Sequence, residues 1–196
     1  MILPIVAYGD PVLKKIATDI SKDYPKFDEL LENMFETMYN AYGVGLAAPQ
    51  IGVPIRLFIV DTTPFSEDEE LTPEEQKALN GFKRVFINAK ITNEEGDEWA
   101  FNEGCLSIPD VREDVFRKPN ITIEYLDENF KPHTENFDGL IARVIQHEYD
   151  HIEGVLFTDK LSTLKKRLIK GRLSNISKGK IKVDYRMRFP DEKKKR

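Results

Sequence analysis

At 196 residues, with 40% hydrophobic and 32% charged side chains, the chain has the composition of one soluble globular domain with a real core. No apolar run reaches membrane-spanning length, Met1-Ile2-Leu3-Pro4 does not open a signal peptide, and a single cysteine excludes an intramolecular disulfide, so a reducing, cytoplasmic setting is expected. The net charge of −5 hides a basic segment, residues 160–196, on an acidic body, a pattern that suits either a polyanionic partner or a solvated surface.

Residues 1–9 read as extended, and Gly9-Asp10-Pro11 as a helix start with Pro at the first helical position. Over 26–42, Phe27, Leu30, Leu31, Met34, Phe35, Met38 and Ala41 recur at intervals of three and four, which predicts an amphipathic helix ended by Gly43. Residues 44–50 are small and apolar without helical spacing, and 56–60 is a strand. Residues 62–80 are polar and acidic, contain Pro64 and Pro73, and read as a surface insertion with one helical turn. Strands are expected over 84–91, 98–101, 111–117 and 121–126, with extended chain through Phe137. A helix follows over 138–154: Leu140, Ile141, Val144, Ile145 and Ile152 form its apolar stripe, Asp138 is placed to cap it and Gly154 to close it. Another helix is expected over 164–177, and 180–189 alternates like a strand. Strands that do not alternate with helices predict an α+β fold, with short antiparallel or mixed sheets around the 138–154 helix. There is no internal repeat.

The chemistry of the chain concentrates in Gln146-His147-Glu148-Tyr149-Asp150-His151. His147 and His151 stand one helical turn apart on the side of the apolar stripe, with Glu148 beside them. A catalytic divalent metal asks for this pattern: two imidazoles as neighbouring ligands, and a carboxylate that reaches water at the metal without ligating. An ordinary helix with surface His and Glu spells the same letters, but two of the three histidines in the chain fall here. The third, His133, lies in a polar stretch and reads as a solvent-exposed bystander. A third ligand is still needed. Phe157 stands where one protease group has a His six residues past the second, and after Glu153 the sole Glu is Glu192. Upstream, Cys105 in Glu103-Gly104-Cys105-Leu106-Ser107 is the candidate, because a thiolate suits a borderline-soft metal and Gly104 leaves room beside it. Taken by itself, Cys105 reads better as core filler, with a lone nucleophile as a further alternative.

Gly43-Val44-Gly45-Leu46-Ala47-Ala48-Pro49-Gln50, Glu103-Gly104-Cys105-Leu106-Ser107 and Gln146-His147-Glu148-Tyr149-Asp150-His151 together resemble the three signature motifs of peptide deformylases, in that family's order. The resemblance implies a catalytic domain over 1–165 with the insertion at about 62–80, followed by a basic C-terminal extension over 166–196. It implies metal-dependent hydrolysis of the formyl group from N-formyl-methionyl nascent peptides. The implied ligands are Cys105, His147 and His151 around one divalent metal. That metal is Fe2+ in the cell by family habit, with Zn2+ or Ni2+ in isolated protein; zinc binds such a site more tightly, so supply decides. Glu148 is the implied general base, and the Gln50 amide and the Leu106 N–H the implied oxyanion donors. Substrate contacts fall on Gly43, Val44, Gly45, Phe101, Glu103, Arg112, Leu140 and Val144. Arg143 stands on the pocket side, where the family commonly has a hydrophobe. Arg117 and Asp150 suit an ion pair, either behind the metal ligands or on the surface. Family members contact ribosomes through their C-terminal part, so the basic segment is a candidate ribosome contact; no membrane or DNA partner is expected. An endopeptidase would need a third His or Glu ligand, and a structural zinc protein a fourth ligand; neither is evident in the sequence.

Overall fold

In the computed structural model, which describes residues 1–190, the chain opens with β1 (Ile5–Val6) and a 3-10 turn at Pro11–Lys14. The expected helix start is this short turn, with Pro11 at its first position and the Asp10 carboxylate accepting from the Val12 N–H at 3.0 Å. Then α1 (Phe27–Asn40) buries Phe27, Met34 and Met38 from the expected stripe. It stops short of 26–42 because Lys26 and Tyr42 take left-handed φ values of 56° and 55°. Next come β2 (Gly45–Ala47), a 3-10 turn at Ala48–Ile51, and β3 (Leu57–Asp61), which is buried along its whole length. The acidic stretch forms a 3-10 turn at Thr63–Glu67 and α2 (Pro73–Leu79), longer than the single turn expected. Thr72 and Glu75 cap α2 reciprocally, and buried Leu79 pins its end.

Five strands complete the body: β4 (Lys83–Glu95), β5 (Trp99–Cys105), β6 (Ile108–Arg117), β7 (Asn120–Leu126) and β8 (Pro132–Phe137). The main sheet is antiparallel in the order β2-β3-β4-β7-β8, while β5 and β6 form a separate hairpin. The strand β4 outruns its expected 84–91 because it continues past two register shifts, the first of them holding Asn88 at φ 50°. Across this sheet lies α3 (Gly139–Ile152), whose Ala142, Val144, Ile145 and Ile152 share one core cluster with Ala47, Phe58, Val60 and Phe86. Its outer flank meets the hairpin through Arg143, which donates to the Val115 and Trp99 carbonyls. The helix is therefore fixed on two sides. Asp138 does not cap it with its side chain: Gly139 at φ 54° starts the helix with a left-handed residue instead. Gly154 does close it, at φ 71°, with the Val155 N–H bonded to the Asp150 carbonyl at 2.9 Å.

The basic segment packs on the body as far as Pro190. Ser162 caps α4 (Thr163–Ser177), and Ile169, Leu173 and Ile176 enter the core cluster that holds Ile108, Val111 and Val115 of β6. The strand expected over 180–189 shrinks to β9 (Met187–Arg188), parallel to β1. Burial still alternates along 181–189, but the ladder partner is two residues long. The basic end of the segment, 191–196, lies outside the described residues. Among the described residues no helix is long and apolar enough to cross a membrane.

Candidate active site and metal centre

Three elements converge on a cavity of about 480 Å³. The helix α3 carries His147, Glu148 and His151; the end of β5 carries Cys105; the 3-10 turn after β2 carries Gln50. The His147, His151 and Cys105 donor atoms all lie within 4.8 Å of one another, with Cys105 Sγ 3.3 Å from His151 Nε2. Ligand atoms around a tetrahedral zinc or iron ion stand about 3.5 Å apart, so one thiolate and two imidazoles at this spacing fit such an ion. The chain separation between Cys105 and the helix is what made the ligand set ambiguous in sequence; the hairpin turn at the end of β5 brings the thiol to the two imidazoles.

Behind these three donors lies a buried charge cluster. One oxygen of Glu103 accepts from His147 Nδ1 at 2.9 Å and from Arg117 at 3.0 Å, and the other from Arg117 at 2.7 Å and Arg143 at 3.0 Å. This leaves His147 Nε2 for the donor cluster and fixes its ring. Arg117 also donates to Asp150 at 2.7 Å, with its side chain only 4% exposed, so that pair is buried and not a surface bridge. Burial by itself would raise the Glu103 carboxyl, but the His147 and Arg117 hydrogen bonds and the Arg117 charge hold it well below the usual carboxylate range. Burial opposes charge on His147, yet its contacts with Cys105 and Glu103 raise it above the ordinary histidine value. His151 moves down, first through burial and then through the His147 charge. The two imidazoles are thus pushed in opposite directions, His147 toward its charged form and His151 toward its neutral form.

Glu148 is the unusual carboxylate. It is 4% exposed, and its Oε2 has no hydrogen-bond partner among the described residues. Burial pushes it up to about 7, against a lowering pull from His147. A buried carboxyl poised there, beside the donor cluster, suits proton transfer near neutral pH. Gln50 is also buried; its carbonyl accepts from the Ala47 N–H at 2.8 Å, which turns its amide toward Cys105 Sγ at 3.5 Å and Ser107 Oγ at 3.4 Å.

Gly43, Val44, Gly45, Phe101, Glu103, Leu106, Arg112 and Val144 all line the cavity. Leu140 does not: it sits a full turn before Val144, near the start of α3 and outside the lining. Arg143 reaches the lining but turns its guanidinium back to Glu103 and over the Trp99 ring, 4.5 Å from its centroid. His133 is not part of the cavity lining and pairs with Asp127 at 2.8 Å. Sequence reasoning missed Lys182, Val183, Asp184 and Tyr185, which form part of the cavity wall. Their alternation was visible, but nothing in it pointed toward a motif 80 residues away.

The family described as "Polypeptide deformylase" matches residues 2–167. The chain belongs to the polypeptide deformylase family. Curated peptide deformylases of Christiangramia forsetii and Flavobacterium johnsoniae are each 70% identical to it, over all of this chain and all of theirs. A crystal structure of a peptide deformylase from Legionella pneumophila superposes with a TM-score of 0.77 at 36% identity, covering 92% of this chain and 98% of that one. As a member of the family the chain is a metal-dependent hydrolase, and it removes the N-formyl group from formyl-methionine at the start of newly made polypeptides.

Proposed function

We propose that Cys105, His147 and His151 hold the metal of this hydrolase, that Glu148 is its general base, and that Gln50 and Leu106 stabilise the oxyanion. The observation that carries this reading is the unpartnered Glu148 oxygen beside a compact cluster of one sulfur and two imidazole donors. A divalent cation held there supplies Lewis acidity toward the formyl oxygen and lowers the pKa of neighbouring water. Glu148 takes the proton of the attacking water and passes it to the departing methionine nitrogen. The Gln50 amide and the Leu106 N–H donate to the formyl oxygen as negative charge builds on it. Val44, Phe101 and Val144 offer apolar surface to the methionine side chain. Gly43 and Gly45 let an extended substrate run close to the backbone, and Arg112 flanks its path. Glu103 serves through His147, by holding its ring. Hydrolysis of formyl-Met-Ala-Ser, with the acetylated and internal-amide peptides left intact, is the expected assay result. Cleavage of the internal amides would overturn the reading.

The ion in the cell is Fe2+ in this reading, with Zn2+ or Ni2+ taken up on isolation, and the setting is the cytoplasm. Metal analysis of protein purified without oxygen tests the first. The enzyme meets its substrate at the ribosome through the exposed basic face of α4, which carries Lys166, Arg167, Lys170 and Arg172. Reversing Arg167, Lys170 and Arg172 to Glu should abolish salt-sensitive co-sedimentation with ribosomes and spare hydrolysis of a free tripeptide. Undiminished co-sedimentation would remove this surface from the proposal.

A further inference from the structure

We propose that Tyr185 is a positioning residue for deformylation: its hydroxyl holds the hairpin turn that presents the Leu106 N–H, and its segment walls the substrate cavity. The proposal rests on the reading of Leu106 as an oxyanion donor. It concerns a part of the chain beyond residue 167, where the family match ends.

The turn between β5 and β6 has two residues, Leu106 and Ser107, bracketed by the Cys105–Ile108 pair. Neither residue has a positive φ, so the turn is not one of the mirror-image types that match the strand twist unaided. A register shift between Glu103 and Cys105 disturbs the ladder just before it. This turn must nonetheless place a metal-ligating thiol and an oxyanion donor to within a fraction of an ångström. Its anchors come from outside. Tyr185 Oη donates to the Leu106 carbonyl at 2.7 Å, and the Tyr8 N–H donates to the Ser107 carbonyl at 2.8 Å. Both tyrosines flank one frame, the parallel β1–β9 pair, closed by Ile5 N–H to the Arg186 carbonyl and Ala7 N–H to the Arg188 carbonyl, each at 2.9 Å. The two ends of the chain thus grip successive carbonyls of the catalytic turn. Ordinary core packing would account for the Tyr185 ring, which sits half-buried against the α1 cluster. It does not account for a hydroxyl aimed at Leu106, nor for Lys182 to Tyr185 facing the cavity.

The test uses the full-length, metal-loaded enzyme. Tyr185→Phe keeps the ring and deletes the hydroxyl. With formyl-Met-Ala-Ser, kcat should fall about fivefold while KM stays within about twofold, since the lost contact acts on charge development and not on peptide capture. Hydrogen exchange at the Leu106 and Ser107 amides should quicken. Tyr185→Ala also removes the wall, and its KM should rise in addition. Unchanged kcat with faster exchange would overturn the proposal by taking Leu106 out of the chemistry. Unchanged kcat with unchanged exchange would overturn it by taking Tyr185 off the turn. A parallel loss of metal content, melting temperature and kcat in Tyr185→Phe would mark a merely structural residue and overturn it too.

Discussion

Gly45 faces Glu148 so closely that a Cβ on residue 45 would stand 2.7 Å from Glu148 Cδ. The glycine is therefore needed for its missing side chain and not for an unusual φ, since residue 45 is ordinary β-strand. We expect Gly45→Ala to displace the Glu148 carboxylate while leaving Cys105, His147 and His151 in place. Turnover should drop on the order of 100-fold with metal content unchanged. Metal analysis alongside steady-state kinetics checks this; loss of the metal would show that the clash is relieved by moving α3 instead.

Glu148→Gln should keep the metal and lose between about 100- and 10,000-fold in rate, the range for a positioned acid–base group. The same variant tests the burial of the carboxyl. In the metal-stripped protein Glu148 titrates at about 7, above its unfolded value, so the folded state binds the extra proton. Its contribution to stability is complete below the unfolded value and is lost as pH rises toward 7. The loss is roughly 3 kcal/mol. Urea melts at several pH values should show the wild type losing stability across that window relative to Glu148→Gln. Parallel curves for the two proteins would mean that the carboxylate is not buried as described.

Cys105→Ser should lose both metal affinity and activity, and Cys105→Asp should retain weak metal binding through a carboxylate oxygen. A ferrous enzyme should also be inactivated by peroxide, which attacks the thiolate. Full metal affinity in Cys105→Ser, with activity gone, would instead make the thiol a nucleophile.

Glu103→Leu should be among the most damaging single changes. It strands Arg117 and Arg143, whose side chains are 4% and 2% exposed, without their shared carboxylate. Breaking a buried charge group in this way costs about 3–5 kcal/mol, and an unheld His147 should weaken metal binding by about 10- to 100-fold. Chemical denaturation and metal titration give the two numbers. A stability loss without weaker metal binding would separate Glu103 from the orientation of His147.

Removing residues 166–196 spares every proposed ligand and base, so the sequence predicts near-normal hydrolysis of a free tripeptide. The packing predicts otherwise. Ile169, Leu173 and Ile176 would leave the core beside β6, and burial of each such side chain is worth about 1.5–3 kcal/mol. We expect the truncated chain to melt well below the full chain and to lose activity on warming. A truncated protein that melts with the full chain would confine α4 to surface cover.

The local signals were legible in the sequence because each depends on neighbours along the chain. Helical spacing placed α1 and α3, Asp10-Pro11 marked the start of a turn, and His147, Glu148 and His151 needed just one turn of helix to come together. The lack of a downstream third ligand singled out Cys105, and motif resemblance added Gln50. Tertiary structure decided what depends on pairing and burial. Glu103 reads as one more residue of a substrate motif, yet its oxygens meet Arg117, Arg143 and His147, residues 14 to 44 positions away. Arg143 looks like a misplaced charge in an apolar pocket until the fold supplies its carboxylate and the Trp99 ring. The alternation over 180–189 promised a long strand, and only the two-residue β1 was there to pair with it. Leu140 shares the stripe of Val144 in sequence but misses the cavity, because the helix enters the cavity wall one turn later. Periodicity encodes which face of an element is apolar; what that face meets is set by the other elements, and here they placed the C-terminal segment against the Leu106-Ser107 turn.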